Sequence, residues 1–249
     1  MITLRPTDAI HKAYLLRTLT EIVDNPLLAS SLYFKGGTCA SMMGILDRFS
    51  VDLDFDLKPG VNEKELKKEF HKIFDKLGFT LFEESQKALE FFLKYDNSPN
   101  QRNTLKIDAL NFLVKSNVYT PIFLPEINRT VNCQNSESIF ANKMVAVKDR
   151  YDRKKSIAGR DIYDIHHFFL KKLKYNQAVI LERTAMSTRD YLKYLRQFID
   201  KNINQTLIDQ DLNTLLPVES FTKIRKSLKQ ETLMFLDNES TFSTIASTG

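Results

Sequence analysis

The chain has 249 residues, enough for one large domain or two modest ones that each bury a core. Its 43% hydrophobic and 27% charged residues argue against a disordered chain, no apolar run approaches the ~20 residues of a membrane helix, and the start, MITLRPTDAIHKAY, lacks the basic, then apolar, build of a secretory signal. The expectation is a cytoplasmic protein without a membrane partner, and the net charge of +5 leans towards a polyanionic partner such as RNA or a nucleotide without identifying one.

Residues 8–25, DAIHKAYLLRTLTEIVDN, place Ile10, Ala13, Tyr14, Leu16, Leu19 and Ile22 close to helical spacing, with Asp8 as the expected N-cap and Pro26 as the stop. SLYFKGG reads as a short buried strand running into a glycine turn, and TCASMMGILD as a helix. RFSVDLDFDL alternates, with Val51, Leu53, Phe55 and Leu57 on one face and Asp52, Asp54 and Asp56 on the other. Lys58-Pro59-Gly60 turns the chain, and VNEKELKKEFHKIFDKLG reads as an amphipathic helix closed by Gly78. ALEFFLKY and NTLKIDALNFL are two further strands joined by the polar loop DNSPNQR, and the phenylalanines of the first read as core. From Ser136 onward the period is helical throughout, up to a Ser/Thr-rich tail expected to fray. The expected organisation is a mixed α/β domain over residues 1–130 followed by a helical bundle over 131–249. Cys39 and Cys133 are too few for a disulfide scaffold and read as reduced core thiols.

The three aspartates admit three readings. Counted from Asp52, with Asp54, Asp56 and Glu63 following, they have the ligand spacing of a calcium loop, but Leu57 stands where that loop turns on glycine. They could also charge the solvent face of an edge strand. The third reading is a metal-assisted phosphoryl-transfer site, in which Asp52 and Asp54 bind a pair of divalent ions ~3.5–4 Å apart. Asp108, a lone acid in the apolar strand pattern LKIDALNF, supplies the third carboxylate. Gly36 and Gly37 would let backbone approach a phosphate, and Thr38 would start a helix whose N-terminus favours an anion.

In this pattern the chain resembles the DNA polymerase beta-like nucleotidyltransferases, whose signature is a Gly-Gly turn, a short helix and Asp-x-Asp. It more closely resembles the AbiEii-type toxins of bacterial abortive-infection and toxin-antitoxin systems. The matching segments are KGGT at 35–38, RFSVDLDF at 48–55, KID at 106–108, ANKMVA at 141–146 and RDIYDI at 160–165. The resemblance implies an α/β (α+β) fold with a nucleotidyltransferase-type mixed sheet, flanking helices and a C-terminal bundle. It implies an enzyme that uses Mg²⁺ or Mn²⁺ and an NTP, with Asp52, Asp54 and Asp108 holding metal. Lys143 would hold the triphosphate, and Asp161 and Asp164 with Arg160 would organise the nucleotide pocket, Asp161 among the catalytic groups. Lys35, Gly36, Gly37 and Thr38 would bind the nucleotide as well. The family often carries a basic residue just before its Arg-Asp pair, where this chain has Ile157-Ala158-Gly159; the nearest replacements are Arg153, Lys154 and Lys155.

The implied partners are an RNA acceptor, which in some members of the group is the tRNA 3′ end, and a cognate antitoxin protein. Two rivals stay open: transfer to a small molecule or a protein hydroxyl, and an idle nucleotide- or RNA-binding module. Asp161 and Asp164 fall on one side of a helix, where catalysis and a structural pairing with Arg160 are both open. His166 and His167 point to different sides of that helix, which argues against a zinc reading.

Overall fold

The computed structural model describes residue 5, residues 8–99 and residues 101–242; the Ser/Thr-rich tail beyond lies outside the described residues. The chain divides into two units, one running to Leu113 and including Val118–Asn135, the other made of Val114–Asn117 and the chain from Ser136.

The first unit is built on one seven-stranded mixed sheet. Its elements are α1 (Ala9–Asp24), α2 (Pro26–Ser31), β1 (Leu32–Lys35), α3 (Gly36–Met42), β2 (Asp52–Leu57), α4 (Glu63–Leu77), β3 (Thr80–Glu84), β4 (Leu89–Lys94), β5 (Thr104–Leu110), β6 (Tyr119–Leu124) and β7 (Arg129–Gln134). The strand order is β3-β4-β5-β2-β1-β7-β6. β2 pairs parallel with β5, β1 pairs parallel with β7, and the other neighbours are antiparallel. β2 is therefore the central strand, which overturns the edge-strand reading of its aspartates. It also removes the calcium-loop reading, because Asp52, Asp54 and Asp56 lie in a ladder and not between two helices.

Local chemistry explains most boundaries. Pro26 ends α1 and at once opens α2, whose first N–H groups on Leu27 and Leu28 are capped by the Asn25 side chain. Asp8 sits at the N-cap of α1 but makes no capping bond, because its carboxylate is taken by the Arg5 guanidinium at 2.8 Å. α4 ends at Gly78, whose φ of 71° is the left-handed conformation glycine adopts freely. The inward face of the sheet alternates as expected, with Phe34, Leu53, Phe55, Phe91, Leu93 and Ile107 all buried, and α1 and α4 pack on the strands. Phe70 and Phe74 of α4 meet Phe91 at ring-centroid distances of 5.2 and 5.0 Å. Each such buried ring contributes about 1.5–3 kcal/mol of transfer free energy. Phe92 takes the opposite face and is half-buried, so that phenylalanine run is core at alternate positions only.

The second unit is helical: α5 (Ser136–Lys154), α6 (Gly159–Leu170), α7 (Gln177–Thr184), α8 (Thr188–Asn202), α9 (Gln205–Leu212), α10 (Val218–Ile224) and α11 (Leu228–Phe242). α6 packs on α5, α9 and α11. Gly159 opens it, and a Cβ there would stand 3.1 Å from the Leu207 carbonyl oxygen and 3.2 Å from the Ile208 Cα, so α6 and α9 approach through this glycine. α6 is buried almost all round, including Asp161 and Asp164. Cys39 and Cys133 are free and buried, and burial pushes the Cys39 thiol well up from its ordinary range. Among the described residues no helix is long and apolar enough to cross a membrane.

Candidate active site

Strand register turns the Asp-x-Asp motif into a row of charge. Asp54 on β2 lies opposite Lys35 on β1 and Asp108 on β5, and Asp108 in turn lies opposite Glu90 on β4. Four strands thus contribute Lys35, Asp54, Asp108 and Glu90 to one line across the sheet, on the face away from Leu53 and Ile107. Asp52 and Lys106 form the next pair along. The Lys106 ammonium bridges the row at 2.6 Å from Glu90 and 3.0 Å from Asp108. Burial by itself would lower its pKa, but the two carboxylates outweigh burial and the group is held above the ordinary lysine range.

Asp56 is set apart from its neighbours. One of its oxygens accepts from Lys35 Nζ at 2.6 Å and the other from the Tyr119 hydroxyl at 2.6 Å, and the residue is buried. Its charge is thereby satisfied from β1 and β6, and Lys35 is engaged by that pairing. The glycines serve an equally specific purpose. Gly36 has φ +80°, and a Cβ there would overlap Asp54 Oδ2 at 2.3 Å; one on Gly37 would stand 2.7 Å from Ser50 Oγ. The room they leave is taken by the chain's own side chains. α3 starts at Gly36, two residues before the expected Thr38, and the buried Thr38 hydroxyl instead donates to the Asp52 carbonyl at 2.5 Å.

In the second unit, Lys143 of α5 lies 2.8 Å from Asp164 and 3.8 Å from Asp161 of α6, and Arg150 Nε donates to Asp161 at 3.1 Å. Lys143, Asp161 and Asp164 therefore form one cluster. Arg160 makes no ion pair with either aspartate among the described residues; the cations beside Asp161 are Arg150 and Lys143. Two helical turns separate Lys143 from Arg150 on α5, a spacing that puts both on one face and that the sequence already contained. Gly159 Nα donates to the Asp211 carboxylate at 2.6 Å, anchoring the start of the Arg160-Asp161 segment. His166 pairs with Glu231 at 2.7 Å, and His167 stacks on Tyr163.

Residues 17–242 match the family model for the nucleotidyl transferase AbiEii toxin of type IV toxin-antitoxin systems. The chain belongs to the AbiEii family. It is a nucleotidyltransferase. Solved structures share the fold: JHP933 from Helicobacter pylori, with a TM-score of 0.52, 16% identity and coverage of 98% of this chain and 100% of that one, and MenT4, a nucleotidyltransferase toxin from Mycobacterium tuberculosis, with a TM-score of 0.55, 14% identity and coverage of 93% and 84%. Among curated proteins none matches the chain.

For an AbiEii nucleotidyltransferase the question is whether the acidic row suits a divalent ion. Asp108 Oδ1 is buried and accepts no hydrogen bond among the described residues, and a carboxylate oxygen in that state is stabilised by a cation. An all-oxygen donor set of Asp52, Asp54 and Asp108 suits Mg²⁺ or Mn²⁺. Among the described residues, no three His, Cys, Asp or Glu side chains are gathered tightly enough to hold a metal as they stand; what the sheet aligns is the adjacent pair Asp54 and Asp108. Glu90, Lys106 and Arg150 escaped the sequence reading. The alternation of ALEFFLKY and LKIDAL carried the signal for the first two, because Glu90 and Lys106 fall in phase with the acidic face.

Proposed function

We propose that this chain transfers a nucleoside monophosphate from an NTP to an RNA acceptor, with Mg²⁺ or Mn²⁺ held by Asp52, Asp54 and Asp108, as the toxin of a pair with a cognate antitoxin protein in the bacterial cytoplasm. The observation that carries this reading is the in-register pair Asp54 and Asp108, together with the buried Asp108 Oδ1, which accepts no hydrogen bond among the described residues. Bound divalent ions would neutralise charge on the transferring phosphoryl group and activate the attacking hydroxyl. Asp52 and Asp54 would hold those ions from one strand, and Asp108 would complete the set or take the acceptor proton at Oδ1. Lys143 is assigned to the triphosphate, its ammonium held in place by Asp164 and Asp161. The metal-binding carboxylates are assigned to the sheet-built unit and Lys143 to the helical one. The net charge of +5 supports a polyanionic acceptor, family membership supports the antitoxin, and a tRNA 3′ end is the first acceptor to try.

The test is incubation of the purified protein with Mg²⁺, each labelled NTP in turn and total bacterial RNA, beside Asp52→Asn. Label on an RNA band with the unmodified protein alone is the expected result and names both nucleotide and RNA size class. NTP binding without RNA labelling would overturn the RNA acceptor in favour of a small-molecule or protein hydroxyl.

A further inference from the structure

His11 lies on the buried stripe of α1 with Leu15, Leu19 and Ile22, where an apolar residue would be the ordinary choice. A polar side chain in such a place needs hydrogen bonds, and both ring nitrogens of His11 have them. Nε2 is 2.8 Å from the Val51 carbonyl and Nδ1 is 2.6 Å from the Tyr95 hydroxyl. A carbonyl only accepts, so Nε2 carries the hydrogen and donates. Burial depresses the pKa of the ring and favours its neutral form, which leaves Nδ1 to accept from Tyr95. The Tyr95 hydroxyl has one hydrogen to give, so with His11 neutral it goes to Nδ1, and the Arg102 carbonyl 2.9 Å away is satisfied by Asn97 Nδ2 at 2.6 Å.

The carbonyl that His11 holds belongs to the peptide plane immediately before Asp52. The plane immediately after Asp52 is held in turn by the Thr38 hydroxyl at 2.5 Å. Asp52 is the first residue of β2, so upstream of it the strand ladder does not fix the chain. Clamping both planes sets φ and ψ of Asp52, and with them the direction of its Cα–Cβ bond. We propose that His11 is a positioning residue that aims the Asp52 carboxylate through the Val51 carbonyl. This inference rests on the reading of Asp52 as a metal ligand, and such groups must be held within about 0.5 Å of productive geometry.

The test compares His11→Gln, His11→Asn, Tyr95→Phe and Asp52→Asn by Mn²⁺ titration followed by electron paramagnetic resonance, with RNA labelling and circular dichroism melting alongside. Gln places an amide N–H near the position of Nε2, whereas Asn places one near Nδ1. His11→Gln is expected to bind Mn²⁺ within about twofold of the unmodified protein, and His11→Asn to bind about 10–100-fold more weakly, the range seen when the support of a metal ligand is removed. Tyr95→Phe keeps the aromatic packing and removes only the hydroxyl that orients the ring, so Mn²⁺ affinity should fall a few-fold. The proposal is overturned by unchanged affinity in His11→Asn, by equal losses in the Gln and Asn variants, or, should His11→Asn not fold, by unchanged affinity in Tyr95→Phe. Unchanged Mn²⁺ binding in Asp52→Asn would overturn the ligand reading itself, and is distinguishable because it does not depend on His11.

Discussion

Gly36→Ala tests the tie between the glycine turn and the acidic row most directly. Gly36 has φ +80°, and an alanine there first meets the left-handed penalty of about 1–2 kcal/mol. Its methyl would also lie 2.3 Å from Asp54 Oδ2 and 2.9 Å from Asp54 Cβ. A rotamer change can move the oxygen but not the Cβ, which is fixed to the central strand, so backbone must shift at a further overpacking penalty of about 1–3 kcal/mol. Gly44 supplies the control: its φ is +73° and nothing lies within 4 Å of its missing Cβ. Gly44→Ala should lose about 1–2 kcal/mol from the conformational penalty alone, and Gly36→Ala about 2–5 kcal/mol. At about 2–4 °C per kcal/mol for a chain of this size, thermal midpoints should fall by about 2–8 °C and about 4–20 °C respectively. The assay is melting by circular dichroism with nucleotide transfer measured on the same samples. Gly36→Ala should also lose transfer, because the shift displaces Asp54. A Gly36→Ala protein that melts with Gly44→Ala and keeps full transfer would refute the claim that this glycine shapes the site.

Asp54→Asn should lower transfer by about 10²–10³-fold, the order of effect of losing one electrostatic stabiliser, because the divalent ions would lose a ligand, while its melting temperature holds or rises because repulsion from Asp108 is relieved; a marked loss of stability would count against that repulsion. Lys143→Met removes one cation from beside the buried Asp164, and urea unfolding should show a loss of up to about 3–5 kcal/mol, the cost of breaking a buried ion pair; equal stability in the variant would remove the cluster's structural role. Stability should also depend on pH through His11. Its folded pKa lies below its ordinary value of 6.5 because of burial, with the Arg102 charge opposing and the Asp52 and Asp8 charges favouring protonation. The unfolded chain therefore binds the proton more readily, and this contribution is present above pH 6.5 and lost as pH falls below it. His11→Gln should flatten that part of the pH-stability curve, and an unaltered acid limb would show that the ring does not titrate as described.

Much of the fold was legible because its signals are local. Alternation marked β2, β4 and β5, the glycine at 78 ended α4, and helical period marked the bundle. β3, β6 and β7 escaped because edge and near-edge strands need not alternate: β3 is exposed at nearly every position, and Pro121 in β6 reads as a breaker although an edge strand tolerates it. α2 escaped because Pro26 was read only as a stop, when the same proline also begins a helix.

At the site, the sequence by itself determined that Asp52, Asp54 and Asp56 share a face, since strand period is set by backbone geometry alone, and that Gly36 and Gly37 precede them in a motif shared with the AbiEii family. Which aspartate does what was decided only in three dimensions. Asp56 is neutralised by Lys35 and accepts a hydrogen bond from Tyr119, which lies 63 positions away in the chain. Asp54 acquires Asp108 as a neighbour only because β5 comes to lie parallel beside β2. Asp52 is gripped from α1 and α3 through its flanking peptide planes. The charge of a carboxylate is written in its residue type, but its partners are set by strand order and register, and these depend on contacts between segments far apart in the chain.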